Sequence, residues 1–282
     1  MSGRACARTS TAIKTSDLAI RGKSDGVPTP CVCIGGEPYK GSAMTRRAYL
    51  IGGSYLEELA GVRADINAWK EFLHSPVGGS WDEGEIVDLS EETFVSIKGE
   101  LAFGRLFDYS LLCFAGHGRA TVDSDGYSTT IVQINDKEEV SEYDLNPKSP
   151  RCTMLFDCCR RLPTDTALES FAIKEGATSV RYNTREVFDR AMLGCEKGLV
   201  RVYGTELDYG AADEKSFTRM MIKYSKAAVK SCEDGVLRLP DAVRGARNLL
   251  DEQQTPVYRG GRRLGHFPFA IKPELGTKEI LS

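Results

Sequence analysis

Two side chains capable of nucleophilic chemistry stand at comparable places in this sequence. His117 lies in Ala115-Gly116-His117-Gly118, directly after the apolar run 109–114. Cys159 lies in Asp157-Cys158-Cys159-Arg160, directly after the apolar run 152–156. A thiol attacks a carbonyl as its thiolate, and a neighbouring imidazole can take the proton or stabilise the anion. Glycines on both sides of His117 let the backbone approach a substrate and leave N–H groups for it. The backbone N–H groups of Gly118 and Cys159 are then the candidate donors to a developing oxyanion. Plainer readings stand beside these: a histidine in a turn after a strand, and a cysteine that fills a core. The chain has two other histidines. His74 precedes Ser75-Pro76 and reads as a helix C-terminal dipole partner or a surface residue, and His266 sits in the basic, aromatic stretch 262–269.

Such a pair meets only if the two runs are neighbouring strands ending at one edge. Ala48-Tyr49-Leu50-Ile51, stopped by Gly52-Gly53, reads as a first buried strand. Leu59, Val62, Ile66, Trp69, Phe72 and Leu73 then recur at helical spacing. Residues 84–89 read as a second strand, followed by a helix capped by Ser90 with Phe94, Ile97 and Leu101 inward. The run 109–114 is apolar nearly throughout, as a central parallel strand should be. Residues 121–140, around Asp125-Gly126, read as a hairpin excursion. After the fourth strand come a helix over 184–196, a strand over 199–203, and a helix with Phe217, Met220, Met221 and Tyr224 on one face. Pro240 opens a last helix, and 255–272 closes with short extended pieces. Alternating strands and helices predict an α/β chain: a three-layer αβα sandwich around a mostly parallel sheet of about six strands. Ligands of such sheets bind beyond the C-terminal strand ends, where His117 and Cys159 stand.

Bulk properties narrow the class. The chain has 282 residues and a net charge of −3. Residues 1–45 are net basic, polar and rich in Gly, Pro and Ser, and read as a flexible N-terminal tail. Residues 46–272 read as the domain and 273–282 as a C-terminal tail. The acidic body argues against nucleic-acid binding. No apolar run approaches a membrane span, and no secretory leader is evident, so a cytoplasmic setting with reduced thiols is expected. The nine cysteines include no CxxC pair, which argues against a zinc knuckle or a thioredoxin-like site.

His-Gly after the third strand and Asp-x-Cys after the fourth resemble the two signatures of the caspase superfamily. With Asp at 157 the pattern is closer to metacaspases, paracaspases and bacterial caspase-like proteins than to animal caspases, which have Gln there. The segment 59–66, with Gly61 four residues before Asp65, resembles the opening of the first metacaspase helix. Residues 75–81, and Gln254-Thr255-Pro256 with Phe267-Pro268-Phe269, resemble bacterial members, so the likeness spans about 46–272. It implies a caspase-like sandwich and a cysteine endopeptidase acting on polypeptides, with Cys159 as nucleophile, His117 as its partner and Cys158 as core filler.

In metacaspases an acidic S1 pocket accepts Arg or Lys, and two of its positions match Asp65 and Asp157. Two converging carboxylates would hold a guanidinium or ammonium by charge-assisted hydrogen bonds. Each also has a plain reading, Asp65 as a first-turn helix acid and Asp157 as a turn-orienting residue. Ala115 stands where metacaspases often have Ser, which removes a hydroxyl from the pocket wall. Caspases are activated by cutting an inter-subunit linker, here 160–198, in which Arg160, Arg161, Arg181 and Arg185 are the candidate self-cleavage sites. Some metacaspases bind calcium through acidic clusters, and runs 82–85 and 136–139 are the candidates, though such runs usually form solvated surface. An activating partner protein is a further candidate, and bacterial members are often associated with defence or cell death. Two competing readings remain: a catalytically silent caspase-like interaction module, and a nucleotide binder using Ile51-Gly52-Gly53-Ser54. The second lacks GxGxxG and the P-loop lysine.

Overall fold

In the computed structural model the chain runs β1 (Arg46–Gly52), α1 (Ala60–His74), β2 (Ile86–Asp88), α2 (Phe94–Leu101), β3 (Tyr109–Gly116), β4 (Gly118–Val122) and β5 (Ser128–Gln133). It continues through β6 (Glu139–Ser141), β7 (Arg151–Cys158), β8 (Arg181–Asn183), α3 (Arg185–Leu193), β9 (Gly198–Tyr203) and α4 (Phe217–Ala228). β10 (Val236–Arg238), α5 (Leu239–Arg247), β11 (Val257–Arg259), β12 (Pro268–Ile271) and β13 (Thr277–Glu279) complete it. The structure describes residues 43–53, 60–122, 124–160, 181–206, 216–251, 254–260 and 267–279. All of these lie in the second of the two units of the chain, Ser42–Ser282.

Six strands form the main sheet in the order β11-β9-β7-β3-β1-β2, and every neighbouring pair is parallel except β11 with β9. Because strand side chains alternate in direction, the inner strands feed two separate cores. Ala48, Leu50, Leu111, Cys113, Leu155 and Val202 face a core shared with α1, α3, α4 and α5. Tyr49, Ile51, Leu112, Phe114, Met154 and Phe156 face the other, with Ile97 and Leu101 of α2. Val132 and Val140 of the antiparallel sheet β4-β5-β6 join that second core. The fold is therefore an α/β sandwich around a mostly parallel six-stranded sheet. Among the described residues, the layer on the second face combines one helix with a small sheet.

The hairpin expected over 121–140 is this three-stranded sheet, and β4 starts one residue after His117. The cap of α2 is Thr93, whose hydroxyl accepts from Ser96 N, and not Ser90. Ser90 instead accepts a hydrogen bond from Gly52 N at 2.9 Å, tying β1 to the chain after β2. We expect Thr93→Ala to destabilise the protein by about 1 kcal/mol, the usual loss for an N-cap hydroxyl. Urea denaturation measures it, and an unchanged midpoint would mean that the cap does not hold α2.

α3 ends at Leu193, short of the expected 196, with Gly194 as its C-cap. The inward face of α4 is Phe217, Thr218, Met221, Ile222 and Ser225, a stripe shifted from the one expected, while Tyr224 is half-buried. The segment read as a C-terminal tail carries β13, which pairs antiparallel with β8.

The buried Arg46 fastens the start of β1. Its guanidinium reaches Glu85 (3.2 Å), Asp189 (3.1 Å) and the carbonyls of Gly79 (3.0 Å) and Ser80 (2.9 Å), and lies 4.4 Å over the Trp81 ring. Arg185 also pairs with Glu85 and Asp82. Within the acidic run 82–85, Glu85 is thus held by two arginines, whereas Asp82 and Glu83 remain largely exposed. Among the described residues, no group of three or more His, Cys, Asp or Glu is placed to hold a metal. No described helix is long and apolar enough to cross a membrane.

Candidate active site

Strand register decides what stands beyond the sheet edge. β3 and β7 pair in parallel from Tyr109↔Arg151 to Gly116↔Cys158. Adjacent strands in a ladder lie about 4.8 Å apart. The next residue on each chain is His117 and Cys159, so the two leave the same edge side by side. His117 is exposed and Cys159 is half-buried. Gly116 has φ +152°, and a Cβ there would lie 2.7 Å from the Gly53 carbonyl oxygen, so the bend before His117 requires glycine. A Cβ on Gly118 would lie 2.8 Å from Cys158 Sγ and 3.0 Å from the Cys159 carbonyl oxygen. The chain leaving His117 thus runs against the two cysteines. The His117 carbonyl accepts from Gln133 N at 3.0 Å, which anchors the turn to β5.

The two adjacent thiols differ in kind. Cys158 is the last residue of β7, is buried, and points into the second core. Burial, reinforced by the Asp157 charge, pushes its thiol well above the ordinary range. A thiol so held is a poor nucleophile at neutral pH. Cys159 stands one residue past the strand, clear of that core.

Asp65 and Asp157 converge on the opposite face of the sheet. Asp157 is on β7, and its Oδ2 accepts from Thr218 N in the first turn of α4 at 2.8 Å. The positive end of that helix favours the carboxylate. Asp65 stands more than a turn into α1 as described, so the first-turn reading does not hold for it. Its Oδ1 accepts from the Ser216 hydroxyl at 2.6 Å and from Arg219 Nε at 3.0 Å. Both acids are at most 7% exposed. Burial, and then repulsion from Asp157, pushes Asp65 up to about 7, with Ser216 and Arg219 opposing the shift. Ala115 is buried and is the register partner of Asp157, so it packs beside that carboxylate on the same face.

No family model matches the chain, and no curated protein matches it. Among solved structures it is similar to the protein GSU0716 from Geobacter sulfurreducens, at 12% identity and a TM-score of 0.47, covering 76% of this chain and 92% of that one. It is also similar to caspase-1 from Spodoptera frugiperda, at 11% identity and a TM-score of 0.49, covering 79% of this chain and 90% of that one.

The structure places all six sequence-derived site residues at the C-terminal edge or beside it: His117, Gly118 and Cys159 past the strands, Ala115 and Asp157 within them, and Asp65 on α1. Sequence reasoning missed Ser216, Thr218 and Arg219. A serine before an apolar helix was a legible N-cap signal for Ser216. Nothing in the sequence pointed Arg219 at an acid 154 residues earlier.

Arg160 is corrected as a self-cleavage site. It is fully buried, donates from Nε to Thr130 Oγ1 at 3.1 Å, and lies 4.1 Å over the Tyr203 ring. The Tyr203 hydroxyl in turn bonds Glu142. This stack pins the residue after Cys159. Arg185 is held by Glu85 and Asp82 in the first turn of α3. Arg161, the Arg181 side chain, Ser54 and His266 lie outside the described residues. Gly53 of the supposed phosphate loop has the Gln133 carbonyl oxygen 2.1 Å from where a Cβ would sit. Close packing therefore accounts for that glycine.

Proposed function

We propose that this protein is a cysteine endopeptidase, with Cys159 as nucleophile and His117 as its proton partner. The observation that carries the reading is the β3–β7 register, which ends on Gly116↔Cys158 and so presents an imidazole and a thiol at one edge. The backbone N–H groups of Gly118 and Cys159 would hold the oxyanion of the tetrahedral intermediate. The thiolate adds to the peptide carbonyl, the imidazolium protonates the leaving amine, and water releases the acyl group. Asp65 and Asp157 would accept the basic side chain preceding the scissile bond, with Ala115 as wall. Peptide cleavage after Arg or Lys is the resulting specificity.

A panel of fluorogenic peptides differing only in the residue before the cut tests this. Cleavage after Arg and Lys, with Asp and Ala peptides much poorer, is expected. Dominant cleavage after Asp would keep the nucleophile and remove the acidic pocket. Each peptide is run with and without calcium, and calcium-dependent turnover would require a metal site outside the described residues. No cleavage at all would favour the second reading, a silent interaction module.

A further inference from the structure

We propose that Arg219 is a built-in occupant of the acidic pocket: its guanidinium holds Asp65 until a substrate's basic side chain takes its place, and so sets the pocket's affinity and specificity. This rests on the pocket assignment above.

Arg219 sits at the third position of α4, after the cap Ser216. A cation in a first helical turn opposes the helix dipole, so the helix itself gives no reason for it. What it does there is reach Asp65 on α1. Its side chain is 14% exposed, against 7% for that of Asp65, so it enters the pocket from the rim. The contact is side-on. Nε–H is shared between Asp65 Oδ1 and Ser216 Oγ, each at 3.0 Å. Asp65 Oδ1 also takes the Ser216 hydroxyl, while its Oδ2 accepts no hydrogen bond among the described residues. A guanidinium arriving end-on can engage both carboxylate oxygens, the stronger, bidentate geometry. The resident cation is thus of the class the pocket would recognise, held by a weaker version of the same interaction. At Asp65, a substrate cation would replace this side-on contact with a bidentate one, and an apolar or acidic side chain offers no such replacement.

The test titrates p-aminobenzamidine, an aryl amidine, into wild type, Arg219→Ala and Arg219→Lys at pH 8 by calorimetry. Removing the competitor should lower Kd about tenfold in Arg219→Ala, equivalent to about 1.4 kcal/mol. Arg219→Lys, which keeps the charge but loses the Nε donor, should fall between. In peptide cleavage the gain should appear as a lower KM for the Arg peptide that the Ala peptide does not share. An unchanged or weaker Kd in a variant with wild-type circular dichroism would overturn the proposal and make Arg219 a fixed wall. Should Arg219→Ala fail to fold, the lysine variant alone decides, and wild-type Kd there overturns it. The titration does not depend on cleavage. A Kd shift without turnover would sink the peptidase reading alone, and absence of amidine binding in every variant would sink the pocket and this proposal together.

Discussion

Cys159→Ala should lower kcat/KM for the best peptide by on the order of 10⁴-fold or more, the scale seen when a nucleophile is removed from a unit that acts together. Cys158→Ala should stay within a fewfold of wild type. The two thiols are neighbours in sequence, so a motif alone does not separate them physically; their surroundings do. Cys158 is packed in the second core against Gly118, with its thiol held protonated by burial. Its truncation should appear as lost stability, about 1 kcal/mol for a small buried side chain. His117→Ala should fall with Cys159→Ala, since neither group works without the other. Iodoacetamide followed by intact-mass and peptide analysis gives a second readout, with Cys159 expected to react first. If Cys158→Ala abolishes cleavage while Cys159→Ala does not, Cys159 is not the nucleophile.

The parts of this fold legible in the sequence are those with a local signature. The strands flanking the site announce themselves because burial on both faces makes them apolar nearly throughout, as in 109–114 and 152–156. His117 and Cys159 could be matched because each directly follows such a strand. Where two local solutions look alike, the sequence does not separate them. Ser90 and Thr93 are both hydroxyl residues before α2, and only the path of β1 shows that Ser90 serves Gly52. The contacts around Asp65 and Asp157 were not legible at all. Ser216 meets Asp65 across 151 residues and Thr218 meets Asp157 across 61. Arg46 likewise finds Asp189 across 143 residues. Pairings of that range are set by how α1, α3 and α4 pack on the sheet, and no periodicity encodes them.

Asp157→Asn should reduce kcat/KM for the Arg peptide by roughly 10²–10³-fold, while the Ala peptide loses far less. The asparagine oxygen can still accept from Thr218 N, so the start of α4 keeps its anchor and the change is one of charge. Removing one partner of a buried ion pair costs about 3–5 kcal/mol, because the remaining charge is left uncompensated. Asp65→Asn should act in the same direction and also alter the pH profile. In wild type Asp65 is pushed up to about 7, first by burial and then by Asp157. Below that pH the group is neutral and attracts no cation; above it the carboxylate is available. The preference for Arg over Ala, taken as a ratio so that pH effects common to both peptides cancel, should therefore rise with pH through about 7. Asp157→Asn removes the repulsion, lowers the Asp65 pKa, and should move that rise to lower pH. Asp65→Asn should flatten it. A wild-type ratio that is flat from pH 5.5 to 8.5 would show that Asp65 does not face the substrate. The acidic pair would then tie α1 and β7 to the start of α4, with Arg219 as the permanent counter-ion of Asp65.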